Sequence, residues 1–270
     1  MKVSKAIWDT ASRALKMSTR VFEKPEILYQ CEHFVAIDKP YDIVVNSDDP
    51  DRFSVEKLMD NFYPHLRDKS CVHGYRLDNA TSGILCLSLS KKSARLLSNR
   101  FKSRNITKHY IALVYGHLSQ HNLIIDKKIG KDSSYTEIWR MCIDDEENCV
   151  DPKEAVTELI CLEEGLYDGQ PATKILLIPQ TGRTHQLRVH CDHIGHRIVG
   201  DFTYSNREDA EPYRMMLHAY RLKFKHRMSD DHHIDIISKD PFTTFLDPKW
   251  QSSKLLTTYE AAVSALDHVE

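Results

Sequence analysis

The chain is 270 residues long, and its 37 lysines and arginines nearly balance 39 aspartates and glutamates, for a formal net charge of −2. That length serves one large domain or two small ones, and the overall charge by itself announces no polyanion partner. Seven scattered cysteines without a CxxC pair argue against a disulfide framework or a zinc ribbon and point to reduced thiols inside a cell. No apolar run approaches the roughly 20 residues that cross a bilayer, no secretory signal opens the chain, and no linker or repeat divides it, so one soluble domain is expected.

Residues 1–25 form a basic N-terminal extension, with Lys2, Lys5, Arg13, Lys16 and Arg20 set against Asp9. It reads equally as a mitochondrial presequence or as a helix docked on the domain or on RNA. Two short strands are expected at 27–29 and 34–37, ended by Lys39 and Pro40. Ser54 then caps a helix carrying Val55, Leu58, Met59 and Phe62, stopped by Pro64.

The stretch from Val72 to Leu89, VHGYRLDNATSGILCLSL, is the first polar hub. Ile84 to Leu89 read as a buried strand entered through Gly83, so the loop before it ends against the core. Asn79, Thr81, Ser82 and Gly83 are turn formers able to hold Arg76 and Asp78 in a fixed pose. A carboxylate beside a core is either paired or has a raised pKa, and Arg76 is the candidate partner. A merely structural Arg/Asp pair pinning a turn is the competing reading, and this stretch leaves both open.

Between Asp78 and Asp126 there is no acid, while Lys91, Lys92, Arg95, Arg100, Lys102, Arg104 and Lys108 fall there; acids collect instead at 144–147 and at Asp230 and Asp231. A one-signed segment inside a neutral protein is the footprint of phosphate-backbone binding, whereas a solvated helix face usually mixes both signs. The segment holds an amphipathic helix over 92–104 with Leu96, Leu97 and Phe101 inward, then a strand over 107–116 that puts Tyr110, Ala112 and Val114 on one face and Ile111, Leu113 and Tyr115 on the other. A buried tyrosine with a satisfied hydroxyl competes with a working role for Tyr110.

Residues 117–154 are polar, with a surface loop expected at Asp144 to Pro152. Strands over 156–162 and 173–178 follow, joined through Gly165 and Gly169. The second polar hub runs from Thr181 to Asp201: Leu187, Cys191 and Ile194 mark one helix face, Thr181 or Thr184 caps it, and Gly195 stops it. Arg188 sits one residue round from that face, where it can be drawn inward to meet a carboxylate. His185, His190, His193 and His196 are only loosely aligned and make no HExxH pattern, so no metal site is expected. A strand from Arg214 to Lys225, a last strand at Ile234 to Ile237 and a terminal helix over 257–269 complete the chain.

These stretches resemble the motif set of the RluA-type pseudouridine synthases. YRLDNATSGILCL is similar to their HRLDxxTSGLLL, TKHYIALVYG to KxYxALVxG, TGRTHQLRVH with GHRIVGDFTY to TGRTHQIRVH with GHPIxGDxxY, and LHAYRLKF to LHAxxLxF. EILYQCEHFVAIDKP resembles the family's opening strand pair, and the likeness runs from about residue 26 to 240 in the family's order. It implies an α+β fold: one pseudouridine-synthase catalytic domain over 26–250, a mostly antiparallel mixed sheet flanked by helices with a cleft across it, and a C-terminal helix or tail over 251–270.

It also implies isomerisation of a uridine in transfer, ribosomal or messenger RNA, without cofactor or metal. By position Asp78 matches the catalytic aspartate in a closed, dry site, Arg188 the arginine paired with it, Tyr110 the tyrosine lying against the uracil, and Arg76 the arginine that enters the space left by the flipped nucleotide. RNA contacts are expected from Arg76 and from Lys91, Lys92, Arg95, Arg100, Lys102, Arg104 and Lys108. Two departures stand out: Tyr75 replaces the usual His, which puts the loop geometry in question, and Arg197 replaces a proline in what reads as a surface change. A monomer in the cytoplasm is expected, with mitochondrion and nucleus as alternatives. The rival functions are a non-catalytic RNA-binding or chaperone protein on the same fold, and a metal hydrolase built on His185, His190 and His193.

Overall fold

The computed structural model describes residues 23–49, 51–69, 75–135, 139–226 and 232–267. The basic extension as far as residue 22, residues 72–74 of the first hub, and Asp230 and Asp231 lie outside the described residues.

β1 (Ile27–Gln30) and β2 (Phe34–Lys39) pair antiparallel. Ser54 caps α1 (Val55–Phe62), its Oγ accepting from the backbone N–H of Lys57 at 3.4 Å, and Val55, Leu58 and Met59 are buried; Phe62, at the last turn, is exposed. β3 (Ser82–Ser88) is buried throughout: Leu85 and Leu87 join one core with α1, and Ile84 and Cys86 a second core on the other face. α2 (Lys91–Lys102) opens in a capping box between Ser90 and Ser93 and packs Leu97, with Leu96 and Phe101, into that second core. β4 (Thr107–Tyr115) splits its side chains as the alternation predicts.

The polar stretch that follows is more regular than expected. It holds β5 (Asn122–Asp126), β6 (Ile129–Asp132), β7 (Met141–Ile143) and β8 (Cys149–Lys153), the last three forming a separate small sheet. The surface loop expected at Asp144 to Pro152 is thus half strand. Among the described residues β8 pairs with β6 alone and is largely exposed, so it tolerates Pro152 and has no apolar alternation to betray it.

β9 (Val156–Tyr167) and β10 (Gln170–Pro179) run longer than expected, because the chain turns only at Asp168 and Gly169, with φ of 50° and 77°. Gly165 is no break: a Cβ there would lie 2.2 Å from the Gln251 carbonyl, so glycine lets β13 (Trp250–Leu255) close on β9.

α3 (Gln186–His193) starts differently from the sequence expectation. Neither Thr181 nor Thr184 caps it; His185 is the N-cap, left-handed at φ 56° and without a side-chain cap. Thr181 instead donates to Gln186 Oε1 at 2.7 Å, an atom that also accepts from the Arg183 N–H at 2.9 Å. β11 (Leu217–His226) starts later than Arg214, whose guanidinium bonds the Met215 and Leu217 carbonyls. β12 (His232–Ile237) is followed by the polar edge strand β13 and by α4 (Tyr259–Asp267), which packs on Ile160, Leu162, Leu176 and Ile178.

The main sheet orders its strands β1-β2-β3-β11-β4-β10-β9-β13, with β12 beside β11 and β5 beside β9. Its described pairs are antiparallel except β3 with β11, so this is a mixed sheet in an α+β fold. That parallel pair requires Gly83, at φ 101°, where a Cβ would lie 2.3 Å from the Ala219 carbonyl.

Candidate active site

The strand order decides which residues meet. Asp78 sits in the loop before β3, Tyr110 on β4 and Arg188 on the helix after β10, and β3, β11, β4 and β10 are successive strands. The three line one cleft of about 1110 Å³. Tyr110 packs against both cores that flank it, and burial together with the negative charge of Asp78 pushes its phenol up, which keeps it neutral.

Asp78 is less enclosed than the closed, dry site expected: its side chain is 30% exposed. Arg76 is exposed on the cleft wall and makes no ion pair with Asp78 among the described residues, so that candidate partner is replaced. The cation beside Asp78 is Arg188, Nη1 lying 3.7 Å from Oδ2.

Arg188 is not, however, committed to Asp78. Its Nε and Nη2 each donate to Asp201 at 2.7 Å in a bidentate pair, with Asp201 fully buried. Burial alone would raise the Asp201 carboxyl, but the Arg188 charge and hydrogen bonds hold it below the usual range. Arg188 is therefore anchored by one carboxylate and offers its remaining edge to another. Asp201 belongs to the GDFTY stretch, and nothing in that stretch alone marks it as the stronger partner.

The basic residues divide. Lys102, Arg104 and Lys108 line the cleft with Arg76, joined by Arg52 and Arg183, whereas Lys91, Lys92 and Arg95 are exposed towards the start of α2, and Arg100 is half-buried away from the cleft wall. Lys108 Nζ donates to the Thr181 carbonyl at 2.7 Å, and burial, aided by Arg104, brings its pKa down to about 8. The exposed ring of Trp139 stands on the same wall, with Lys131 Nζ 5.0 Å from its centroid.

The four histidines of the second hub go to different neighbours. His190 binds Thr157 and the Lys127 carbonyl, His196 binds the Tyr115 carbonyl, and His193 is exposed. Only His185 enters the cleft, Nε2 lying 4.0 Å from Asp78 Oδ2 and Nδ1 3.1 Å from the Tyr204 hydroxyl. No three His, Cys, Asp or Glu side chains converge as metal ligands among the described residues, which leaves the metal-hydrolase alternative without a site there. Burial and the Arg188 charge bring the His185 pKa down to about 4, so the ring is neutral near pH 7.

Both departures from the motifs have a structural answer. The Tyr75 hydroxyl donates to the Ile84 carbonyl at 3.2 Å and accepts from the Cys86 N–H at 3.1 Å, and its ring stacks on Phe101 at 4.0 Å. The loop carrying Asp78 is thereby pinned to β3 and α2. Arg197 is more than a surface change: it is half-buried and donates to the Tyr204 carbonyl at 3.2 Å.

A model of the RNA pseudouridylate synthase family matches residues 33–193, a span holding Asp78, Tyr110 and Arg188. The chain belongs to that family. It is 41% identical to the zebrafish (Danio rerio) RNA pseudouridylate synthase domain-containing protein 1 over 90% of this chain and 84% of the relative. It is 34% identical to the dual-specificity RNA pseudouridine synthase RluA of Yersinia pestis over 74% of this chain and 92% of that enzyme. The solved structure of human RNA pseudouridylate synthase domain containing 1 superimposes with a TM-score of 0.81 at 35% identity, covering 92% of this chain and 98% of the human one. Membership places this RluA-type pseudouridine synthase among isomerases acting on RNA. No described helix is long and apolar enough to cross a membrane.

Proposed function

We propose that this pseudouridine synthase converts uridines of a transfer, ribosomal or messenger RNA to pseudouridine, with Asp78 as the reacting carboxylate. The observation that carries the reading is the meeting of Asp78, Arg188 and Tyr110 in one basic-walled cleft. A stacked base cannot be re-bonded in place, so the nucleotide is extruded at a cost of a few kcal/mol. Stacking of the uracil on Tyr110, worth about 1–3 kcal/mol per base, offsets that cost. Arg76 fills the vacated position, and Lys102, Arg104 and Lys108 hold the phosphates.

The reaction is an isomerisation: the bond from ribose C1′ to N1 breaks, the uracil turns, a bond from C1′ to C5 forms, and the proton lost from C5 to solvent is balanced by one taken up at N1. Asp78 serves as nucleophile or proton acceptor, and Arg188, fixed by Asp201, stands with its Nη1 3.7 Å from the Asp78 carboxylate. A cation anchored in this way needs no reorganisation as charge moves on the carboxylate.

The test uses cellular RNA from a strain lacking the protein, labelled with tritium at uracil C5. Tritium release and pseudouridine mapping are expected with wild type and absent with Asp78→Asn, which retains RNA binding. Pseudouridine formation by Asp78→Asn would remove Asp78 from the mechanism. No product with either protein, despite RNA binding by both, would favour the rival reading of a non-catalytic RNA-binding protein.

A further inference from the structure

We propose that His185 is a positioning residue: held by Tyr204 as the neutral Nε2–H tautomer, it joins Arg188 in gathering Oδ2 of Asp78, so that Oδ1 is the oxygen presented to the substrate. This rests on the reading of Asp78 as the reacting carboxylate.

The tautomer follows from hydrogen-bond accounting. Tyr204 is 3% exposed, and its hydroxyl oxygen accepts from the Met141 N–H at 3.1 Å. The hydroxyl hydrogen then needs an acceptor of its own, because a buried polar group left unpaired is costly. Among the described residues that acceptor is His185 Nδ1, 3.1 Å away. An imidazole nitrogen that accepts carries no proton, so the proton of the neutral ring is on Nε2.

The carboxylate is approached from one side. His185 Nε2 and Arg188 Nη1 lie 4.0 and 3.7 Å from the same oxygen, Oδ2, and no described donor is within hydrogen-bond distance of Oδ1. Both separations exceed an ordinary hydrogen bond, and contacts of this kind shorten when a substrate is seated. Other charges facing the imidazole are the Arg188 guanidinium and the Asp201 carboxylate, which neutralise one another in their bidentate pair. The backbone of His185 adds an independent sign of constraint. A non-glycine residue at φ 56° opening a helix without a side-chain cap persists where its surroundings hold it, and such positions cluster at active sites.

The experiment is a long-range proton–nitrogen correlation on the uniformly nitrogen-15-labelled full chain, with the His185 signals identified by their loss in His185→Gln. The expected result is a protonated Nε2 and a bare Nδ1 in wild type, and a mixed tautomer in Tyr204→Phe. Activity is read by tritium release from the C5-labelled cellular RNA. The amide of Gln can place an N–H where Nε2–H stood, and His185→Gln should keep the rate at saturating RNA within about threefold, whereas His185→Asn, reaching only the Nδ1 position, should lose about 10²-fold with little change in half-saturation. A protonated Nδ1 in wild type, or equal losses for the two variants, would overturn the proposal. The tautomer is read without turnover, so an active Asp78→Asn would sink the functional reading while leaving that measurement intact.

Discussion

Lys39 reaches the backbone carbonyl of Asn79, the residue after Asp78, with its ammonium 3.0 Å from the oxygen and its side chain wholly inside the protein. The same Nζ donates to the carbonyls of Pro40 and Ile43 at 2.9 Å each, so three carbonyls converge on three ammonium hydrogens. The end of β2 thereby holds the loop that carries Asp78.

Replacing this ammonium by a thioether should be costly twice over. Lys39→Met leaves three carbonyls short of a donor, at about 1–3 kcal/mol for each that stays buried and unpaired. The urea midpoint is expected to drop by the equivalent of several kcal/mol, and the turnover rate to fall further than RNA affinity. An unchanged midpoint would show that the loop is held by other means.

Arg188 and Asp201 form the second prediction. Arg188→Ala strands the Asp201 carboxylate in the core, and removing one member of a buried pair costs about 3–5 kcal/mol. Thermal unfolding should show that loss in Arg188→Ala and in Asp201→Ala, while the double variant loses less than the sum. Asp78→Asn, at a partly exposed position, should unfold close to wild type and yet be inactive.

The division of the basic residues predicts a division in salt dependence. Each phosphate contact contributes about 0.7 to the slope of log affinity on log salt for a single strand and about 0.9 for a duplex. The cleft-lining pair Lys102→Ala/Arg104→Ala should lower that slope by about 1–2 in RNA titrations. Lys91→Ala/Lys92→Ala, away from the cleft wall, should change it less, and the opposite ranking would move the RNA track to the start of α2.

Stability should fall on mild acidification. Burial brings the pKa of His185 down to about 4 and of His218 to about 3, and lowers that of His190. In the unfolded chain these rings take up protons near pH 6.5. As pH falls below about 6.5 the unfolded state therefore binds protons that the folded state refuses, and the folded state loses ground until the folded pKa values are passed. The Asp201 carboxyl, held low by Arg188, acts at a lower pH: its contribution is present above the unfolded value near 3.9 and disappears as pH drops through the folded value. The melting temperature at pH 5 should lie clearly below that at pH 7, and a flat profile between them would mean that these rings are not held neutral.

The sequence by itself determined the family, the central strands and helices, and the positions of Asp78, Tyr110 and Arg188. The continuous apolar run of β3, the two apolar faces of β4, the Ser54 cap of α1 and the four motifs are local patterns, written within a few neighbouring residues. Only the tertiary structure decided who partners whom. Arg188 binds Asp201, 13 positions on, more closely than Asp78; Lys39 holds a carbonyl 40 positions away; and His185 turns from its helix to Asp78 and Tyr204. The edge strands β8 and β13 carry no sequence signal, because a strand exposed to water is held by backbone hydrogen bonds to its neighbour, which demand no particular side chains. Partner choice depends on strand order and on the geometry of charge in a buried space, and neither is encoded in the spacing of any one segment.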